Sequence, residues 1–354
     1  MNRRRFFKDT ARSAAVLFFA GRNLSGTQAV RPSARRQVTV GGRLVKVIDI
    51  HSHCAIPGAM EMLGQTTPAN IPLVIGTDRL RQMDEQGIDL EVLSINPFWY
   101  AADRDTARRL IQMQNEKLAE FCNAHSDRFA GLAGVALQHP DLAAEQLEEG
   151  VKKLRLHGGS VGDTVAGQEL SAPKFDPFWA KAEELRTPIF LHPQGIPELR
   201  SRLQGNGVLT NVIGNPLGTT IALSHMIFEG VFDRFPGLKI CAAHGGGYLP
   251  SYADRSDHGC ITFPEQCSKT LKKRPTEYLK QIYFDSLIFS GEALRHLVAQ
   301  AGVSQVMLGT DFPYPWTTTS VDHVLNTPGL SANDKIAILG GNAAKLFQIP
   351  ASSH

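Results

Sequence analysis

Five side chains suited to metal binding or proton transfer end four apolar runs of this sequence. His51 and His53 end "LVKVIDIHSH", His192 ends "TPIFLH", His244 ends "LKICAAH" and Asp311 ends "SQVMLGTD". Residues two apart on a strand point to the same side, so His51 and His53 can share one ion. A single histidine at a strand end is usually structural, but five such groups at four strand ends indicate a metal centre.

Imidazoles and one carboxylate form a donor set that suits zinc best among the common metals, with manganese, cobalt or iron as alternatives. Three imidazoles and the carboxylate would complete such a site. The fourth imidazole is then left over as a candidate acid or base. A metal ion lowers the pKa of bound water to about 7, and a nearby imidazole titrates in the same range and could relay the proton.

Eight short apolar runs alternate with amphipathic segments from residue 44 onward. The runs are mostly too short for helices and several lead into Gly or Pro, which is typical of strands. The apolar residues between them recur every three or four positions, as in helices. Such alternation predicts a parallel sheet covered by helices, and eight units close naturally into a barrel.

We therefore predict an α/β fold, a (β/α)8 TIM barrel, over residues 44–349. The irregular stretch at about 257–275 is predicted to be a small insertion after strand six. An open doubly wound sheet is the alternative, although its G-x-G-x-x-G fingerprint is absent after the first strand. In a closed barrel the carboxyl ends of all strands share one face, where the five groups would converge.

The first residues resemble a twin-arginine export signal. Arg3, Arg4 and Arg5 precede Phe6, and the apolar run at 14–20 is too short to span a membrane. We expect a signal peptide over 1–29, a linker over 30–43, a tail over 350–354, and a periplasmic or secreted protein. A disordered basic tail on a cytoplasmic protein is the alternative.

Charge and cysteine content narrow the classes of protein further. The net charge of +3, with no basic stripe, gives no case for nucleic-acid binding. Five cysteines at scattered spacing form no disulfide framework. Cys260 and Cys267 could pair in an oxidising compartment, and free packed thiols are the alternative.

Several motifs resemble the amidohydrolase superfamily, and most fully its branch of aminocarboxymuconate-semialdehyde decarboxylase. They are, in order, "IDIHSH", "RLRQMDEQGID", "LHP", "IFEGVFDRFPGLKICAAHGGG", "VMLGTDFPYP" and "GGNAAKLFQI". The resemblance covers residues 46–349 and implies that the barrel is of the metal-dependent hydrolase type. It implies that His51, His53, His192 and Asp311 bind one divalent metal, with zinc favoured, and that His244 acts with Asp311 in catalysis.

The resemblance also implies a homodimer and a reaction. Two-metal relatives use a lysine from strand four, and "LHGGSVGD" has none at its end, which favours one ion. The implied reaction is non-oxidative decarboxylation of a small unsaturated or aromatic carboxylic acid. The alternatives are hydrolysis of an ester, lactone or amide by a metal hydroxide, a hydratase, or an exported metal-binding protein without enzymatic activity.

The sequence departs from the decarboxylase around the expected substrate. Residues 54–76 contain no arginine, and Gln194 stands where the decarboxylase has an aromatic residue after its proline. We therefore do not expect this protein to act on the substrate of that decarboxylase. Arg255 matches an arginine of the branch and could contact substrate or, as we slightly favour, form a salt bridge in the subunit interface.

Other candidates lie near the predicted strand ends. Aromatic residues after strands two and eight could form a substrate wall or pack within loops: Phe98, Trp99, Tyr100, Phe312, Tyr314 and Trp316. Asp285 could orient a metal ligand or cap a loop. The glycines of "HGGG" could direct backbone N–H groups toward an oxyanion, but close packing is the favoured role.

Overall fold

Eight parallel strands form a closed barrel in a computed structural model that describes residues 35–69, 71–267 and 271–350. The predicted signal peptide lies outside the described residues, as does the predicted tail beyond residue 350. The barrel strands are β1 Ile48–His53, β2 Leu90–Ser94, β3 Phe129–Gly131 continuing as Ala133–Gly134, β4 Gly159–Gly162, β5 Pro188–His192, β6 Lys239–Ala242, β7 Tyr283–Asp285 and β8 Val306–Met307.

Hydrogen bonds between β8 and β1 close the barrel. β1, β2 and β3 pair in order, and the second half of β3 begins a run through β4, β5, β6 and β7 to β8. The Ile50 N–H donates to the Leu308 carbonyl at 3.0 Å, and the Asp311 N–H donates to the His51 carbonyl at 2.8 Å. The predicted TIM barrel is confirmed, and the open sheet is excluded.

Helices cover the outside of the barrel because their apolar residues meet the strands along one stripe. The main helices are α1 Thr77–Gln86, α2 Arg104–Ala124, α3 Pro140–Lys152, α4 Asp176–Glu184, α5 Asn215–Phe228, α6 Leu249–Thr262, α7 Gly291–Ala301 and α8 Asn342–Leu346. Shorter helices are Val231–Arg234, Pro264–Cys267, Pro275–Tyr278, Ser320–Asn326 and Ala332–Ile336, and a π-helical turn, Thr210–Gly214, precedes α5.

Two apolar clusters hold this arrangement together. The larger one joins the strands to the surrounding helices, and the smaller one joins barrel strands to the C-terminal residues 343–349. Among the described residues, no helix is both long and apolar enough to cross a bilayer.

Part of the segment predicted as a linker belongs to the packed domain. Thr39–Val40 pairs antiparallel with Arg43–Leu44 across a turn in which Gly41 and Gly42 have φ values of 57° and 78°. Such positive φ values suit glycine in a tight hairpin turn. Val38 and Val40 are buried in the larger apolar cluster. The linker prediction is therefore wrong for residues 38–43, because valines within a polar stretch gave too weak a periodic signal.

The stretch predicted as an irregular insertion is largely helical. α6 continues to Thr262, and Pro264–Cys267 forms a further short helix. Cys260 and Cys267 are joined by a disulfide, whereas Cys54, Cys122 and Cys241 are free and buried. Sequence periodicity missed this helix because its surface is exposed, with apolar Ile261 and Phe263 facing outward.

Candidate metal centre and active site

The five predicted groups meet at the carboxyl ends of the strands, around Asp311. Its Oδ1 atom lies 2.9 Å from Nε2 of His53, 3.1 Å from Nε2 of His51 and 3.9 Å from Nε2 of His192. Its Oδ2 atom lies 3.7 Å from Nε2 of His244. One barrel face therefore gathers four imidazoles and a carboxylate from four strands, as the sequence predicted.

The donor atoms are close enough to bind one ion. Those of His51, His192, His244 and Asp311 all lie within 4.8 Å of one another, and His53 Nε2 lies 3.1 Å from His51 Nε2. His192 is buried, and neither of its ring nitrogens has a hydrogen-bond partner in the described part of the chain. Buried polar atoms are normally paired, so this orphaned imidazole and the surrounding donors fit a divalent metal ion.

Asp285 fixes the orientation of His51. Its Oδ2 lies 2.6 Å from His51 Nδ1, which leaves Nε2 directed at the cluster. The same carboxylate accepts hydrogen bonds from the backbone N–H groups of His244 and Gly245, each at 2.8 Å, and of Leu287 at 3.0 Å. Asp285 therefore fills both roles that the sequence left open: it orients a ligand and it caps a loop.

His53 is held by two contacts from other elements. Its Nδ1 lies 3.1 Å from Oγ of Ser94, the last residue of β2. Arg79 on α1 donates to the His53 carbonyl at 2.8 Å and to Ser52 Oγ at 2.9 Å. Arg79 also pairs with Glu91 at 2.6 Å, and both side chains are buried. The sequence analysis missed this network, whose one local signal is the charged residue Glu91 inside an apolar strand.

Asp49 links β1 to β8 beside the ligands. Its carboxylate accepts from the His51 N–H at 2.9 Å and from the Thr310 hydroxyl at 2.5 Å. Burial and the nearby Glu91 raise the pKa of Asp49 to about 7, although these hydrogen bonds favour its ionised form. The pairing of β1 with β2 shifts register between Asp49 and Ser52, so the two histidines do not sit on a regular strand.

The cluster distributes protons unevenly among its imidazoles. Burial lowers the pKa of His51, but Asp311 and Asp285 outweigh it and raise that pKa to about 10. Burial lowers the pKa of His53 to about 4, and burial with the neighbouring imidazoles lowers the pKa of His192 well below its usual value. His53 and His192 therefore present unprotonated nitrogens, as metal ligands must, and His51 would release its additional proton when an ion binds.

Asp311 and His244 adopt backbone conformations that non-glycine residues rarely use. Their φ values are 62° and 54°, and such left-handed positions cost on the order of 1–3 kcal/mol unless the surroundings impose them. Despite burial, the imidazoles around Asp311, His51 foremost, hold its pKa below the usual range. Ionised Asp311 is thus the negative centre of the cluster.

The glycines after His244 serve close packing, the role that the sequence analysis favoured. A Cβ atom on Gly247 would lie 2.0 Å from the Pro216 carbonyl oxygen, and one on Gly246 would lie 2.6 Å from the Phe284 ring. The Gly245 N–H donates to Asp285 and is therefore committed within the fold. A side chain at Gly246 or Gly247 would push the loop off the strands.

A cavity of about 300 Å³ opens beside the cluster. His192 and Asp311 form one part of its wall, and the polar remainder is Asn96, Gln194, Asn211, Asn215 and Tyr314. The sequence analysis assigned none of the asparagines to the site. Asn96 lies in the loop after β2, Asn211 in the π-helical turn and Asn215 at the first residue of α5, where sequence periodicity gives little signal of side-chain orientation.

The aromatic substrate wall predicted from the sequence forms only at Tyr314. Trp99 is fully buried, and its Nε1 donates to the Val135 carbonyl at 2.9 Å. The Tyr100 hydroxyl is occupied as well, because it accepts from the Gly162 N–H at 3.0 Å. Trp99 is therefore a core residue and wrong as a substrate contact, since its apolar ring gains more from the core than from the cavity.

The remaining predicted substrate contacts lie apart from the cavity lining. Phe98 packs against the larger apolar cluster, and the Phe312 ring covers the Arg79 guanidinium at 4.7 Å. Trp316 is exposed and lies near Phe289, with ring centroids 6.3 Å apart. Arg255 is exposed on α6. None of these four residues lines the cavity, although the Phe312 carbonyl accepts from the His53 N–H at 2.6 Å.

A closed (β/α)8 barrel with histidines and an aspartate at its carboxyl face defines a metal-dependent enzyme of the amidohydrolase type. Residues 48–349 match the family described as Amidohydrolase, and the chain belongs to that family. It is 32% identical over 272 residues to 2-amino-3-carboxymuconate-6-semialdehyde decarboxylase of Dictyostelium discoideum, a match that covers 76% of this chain and 75% of that protein.

Solved structures of decarboxylases share the fold. One is 5-carboxyvanillate decarboxylase from Sphingomonas paucimobilis, with a TM-score of 0.80, 26% identity, and coverage of 86% of this chain and 100% of that one. Another is a dihydroxybenzoic acid decarboxylase from Polaromonas sp. JS666 with bound manganese and the inhibitor 2-nitroresorcinol. Its TM-score is 0.75 at 27% identity, and the match covers 87% of this chain and 98% of that one. The predicted family and its metal-dependent decarboxylase branch are confirmed.

Proposed function

We propose that this protein is a metal-dependent, non-oxidative decarboxylase of a small aromatic or unsaturated carboxylic acid. The observation that carries the proposal is the cluster around Asp311 beside a cavity of about 300 Å³. A cavity of that size suits a small organic acid. Decarboxylases among the relatives support the choice of reaction.

His51, His53, His192 and Asp311 would hold the ion. His51 and His53 each have Nδ1 next to a fixed oxygen, which leaves Nε2 as the donor, an arrangement typical of metal-bound histidine. A divalent ion bound there supplies a Lewis acid that binds the carboxylate and stabilises developing negative charge.

His244 and Asp311 would carry out proton transfer to the substrate. Loss of carbon dioxide leaves a carbon that must be protonated, so the site needs an acid near the substrate. The side chain of His244 is 13% exposed, more than that of His192 at 6%, and its Nε2 lies 3.7 Å from Asp311 Oδ2. His244 is thus the most exposed of the four imidazoles, as a group that exchanges protons with substrate or water needs to be.

The reaction is tested by carbon dioxide release from a panel of phenolic and dienoic acids, run beside ester, lactone and amide substrates. The proposal expects release from at least one acid and its loss on chelation. Turnover confined to esters, lactones or amides would instead identify a hydrolase. Hydration of an unsaturated acid without carbon dioxide release would identify a hydratase.

Zinc is the proposed native ion, because three imidazoles and one carboxylate match its preferred donors. The manganese in the Polaromonas decarboxylase makes manganese the main competitor. Elemental analysis of protein purified without added metal decides between them. One zinc per chain is expected, and one manganese per chain would contradict the assignment.

We also propose that the protein is exported folded by the twin-arginine route. The disulfide between Cys260 and Cys267 supports an oxidising destination, and folding before export would let the ion be bound in the cytoplasm. Replacing Arg3 and Arg4 by Lys should retain the full-length chain in the cytoplasm. Equal cytoplasmic retention of the wild type would refute export.

A homodimer is the proposed assembly. Ile261 and Phe263, at the end of α6 and just after it, are 72% and 54% exposed, and a subunit interface at this end of the helix would cover both apolar side chains. Light scattering after gel filtration should give twice the chain mass. A monomer at all concentrations would contradict this assembly.

A further inference from the structure

The substrate cavity carries several amide groups but no cationic side chain. Four carboxamides line it, from Asn96, Gln194, Asn211 and Asn215, and no lysine or arginine does so among the residues that the structure describes. Asp311 is the one carboxylic acid among those lining residues. A second negative charge on a ligand would therefore meet neutral dipoles and Asp311, without a partner to offset its desolvation.

The Gln194 side chain is already hydrogen-bonded within the protein. Its backbone N–H donates to Asp163 Oδ1 at 3.0 Å, and its side-chain amide donates to the Pro97 carbonyl. A Cβ atom on Gly162 would lie 2.6 Å from Gln194 Oε1, so the glycine leaves room for this side chain. Gln194 therefore shapes the wall and is not the group that remains free for a ligand.

The three asparagines differ from Gln194. Asn96 Oδ1 is buried without a hydrogen-bond partner. Within residues 35–69, 71–267 and 271–350, the half-buried side chains of Asn211 and Asn215 have no hydrogen-bond partner, and both line the cavity. Asn211 lies in the π-helical turn Thr210–Gly214 and Asn215 begins α5. Four residues apart on continuous helical backbone, they lie on the same side of it.

We propose that Asn211 and Asn215 recognise a ring hydroxyl, so that the substrate is a phenolic acid with a single carboxylate. The inference rests on the proposed function in one respect, since it assigns that carboxylate to the metal. A carboxamide both donates and accepts, so it pairs with a hydroxyl in either direction. Sites built for a hydroxyl discriminate strongly against analogues that lack it.

Binding to the metal-loaded protein tests this independently of turnover. The probes are benzoate, its three monohydroxy derivatives and the three benzenedicarboxylates, titrated by calorimetry. At least one hydroxybenzoate should bind about tenfold more tightly than benzoate, the gain expected from a single well-placed hydrogen bond. Each dicarboxylate should bind more weakly than benzoate.

Variants separate the amides from the rest of the cavity. We call the ratio of the affinity for a hydroxybenzoate to the affinity for benzoate the hydroxyl advantage. At least one of the variants Asn211→Leu and Asn215→Leu should reduce this ratio several-fold. Both variants should keep the affinity for benzoate and the metal content of the wild type. Asn211→Lys should make a dicarboxylate bind more tightly than benzoate, because it adds the missing cation. Asn123→Lys, on the exposed end of α2, is the control with the same charge change and should leave the ranking unaltered.

Two results would overturn the inference: tighter binding of a dicarboxylate than of benzoate to the wild type, or a hydroxyl advantage that survives intact in both leucine variants. These outcomes differ from failure of the proposed reaction. If no acid releases carbon dioxide but the ranking and the variant effects hold, the decarboxylase proposal fails and the recognition proposal stands. If carbon dioxide is released but a dicarboxylate binds more tightly than benzoate, the decarboxylase proposal stands and the recognition proposal fails.

Discussion

The carboxylate of Asp285 lies 2.6 Å from Nδ1 of His51, although 234 residues separate them in the sequence. The pair joins β7 to β1 and directs His51 Nε2 toward Asp311. The same carboxylate receives three backbone N–H groups at the ends of β6 and β7. A single side chain therefore sets both the direction of a ligand and the path of the loop that carries His244.

Asp285→Asn should weaken metal binding 10- to 100-fold, the usual effect of losing a carboxylate behind a metal-bound histidine. An amide has no charge to favour the Nδ1–H tautomer of His51, and its NH2 group would face backbone donors. Chelator competition measures the metal affinity. Asp254→Asn, on exposed residue 254 of α6, is the control, and an equal affinity in both variants would remove Asp285 from the site.

Arg79→Met should destabilise the folded protein by about 3–5 kcal/mol, because it leaves Glu91 as an uncompensated buried charge. The buried pair is only 2.6 Å apart. Arg79→Met combined with Glu91→Leu should recover part of the loss, since neither charge then remains. The free energy of unfolding in urea, measured with saturating metal, gives the comparison.

The matched control lies on the same helix. Arg81 and Glu85 pair at 2.7 Å with side chains that are about half exposed, and water screens such pairs. Arg81→Met should therefore leave stability nearly unchanged. If Arg79→Met and Arg81→Met behaved alike, burial would not be the cause of the predicted loss.

The strand ends could be predicted from the sequence, because short apolar runs stop at or near His51, His192, His244 and Asp311. The hydrogen-bond network that supports these residues could not be predicted. Asp49 bonds Thr310 across 261 residues, and Arg79 lies on a helix whose pattern marks it as an ordinary charged position. Contacts of that kind follow from barrel closure, which no local pattern encodes.

Loop side chains gave the least reliable predictions. Trp99 follows β2 just as Asn96 does, yet the ring enters the core and the amide lines the cavity. Backbone direction after a strand end decides which side chain faces the substrate, and alternation no longer holds there. The aromatic wall was predicted from residue type and from position after a strand end, and neither accounts for the packing of Trp99 and Phe98 against the apolar core.

Asp163 should make stability depend on pH in a defined direction. Burial raises its pKa from 3.8 in the unfolded chain to about 6 in the folded protein. The folded state thus binds the proton more tightly, so this contribution to stability is full below pH 3.8 and is lost as pH rises through 6. The whole shift corresponds to about 3 kcal/mol, of which about 1 kcal/mol falls between pH 5 and 8.

Asp163→Asn removes this titration, while an amide oxygen remains to accept from the Gln194 N–H. The stability of the wild type relative to the variant should therefore decline from pH 5 to pH 8. Titration of the metal cluster is common to both proteins and cancels in the difference. A difference that is constant or increases over that range would mean that Asp163 is already ionised at pH 5.

His192→Ala and His244→Ala should separate metal binding from proton transfer. The donor atoms of both histidines lie within 4.8 Å of those of His51 and Asp311, so distance alone does not assign their roles. His192 is buried with both nitrogens unpaired, and its replacement should remove the ion and the thermal stabilisation that added metal confers. His244→Ala should keep about one ion per chain and lose about 10²- to 10⁴-fold in turnover, the range for a missing general acid or base. Elemental analysis after gel filtration and melting curves with and without metal give both readouts. Loss of the ion from His244→Ala, with the ion retained in His53→Ala, would exchange the roles of these two residues and make His53 the acid or base.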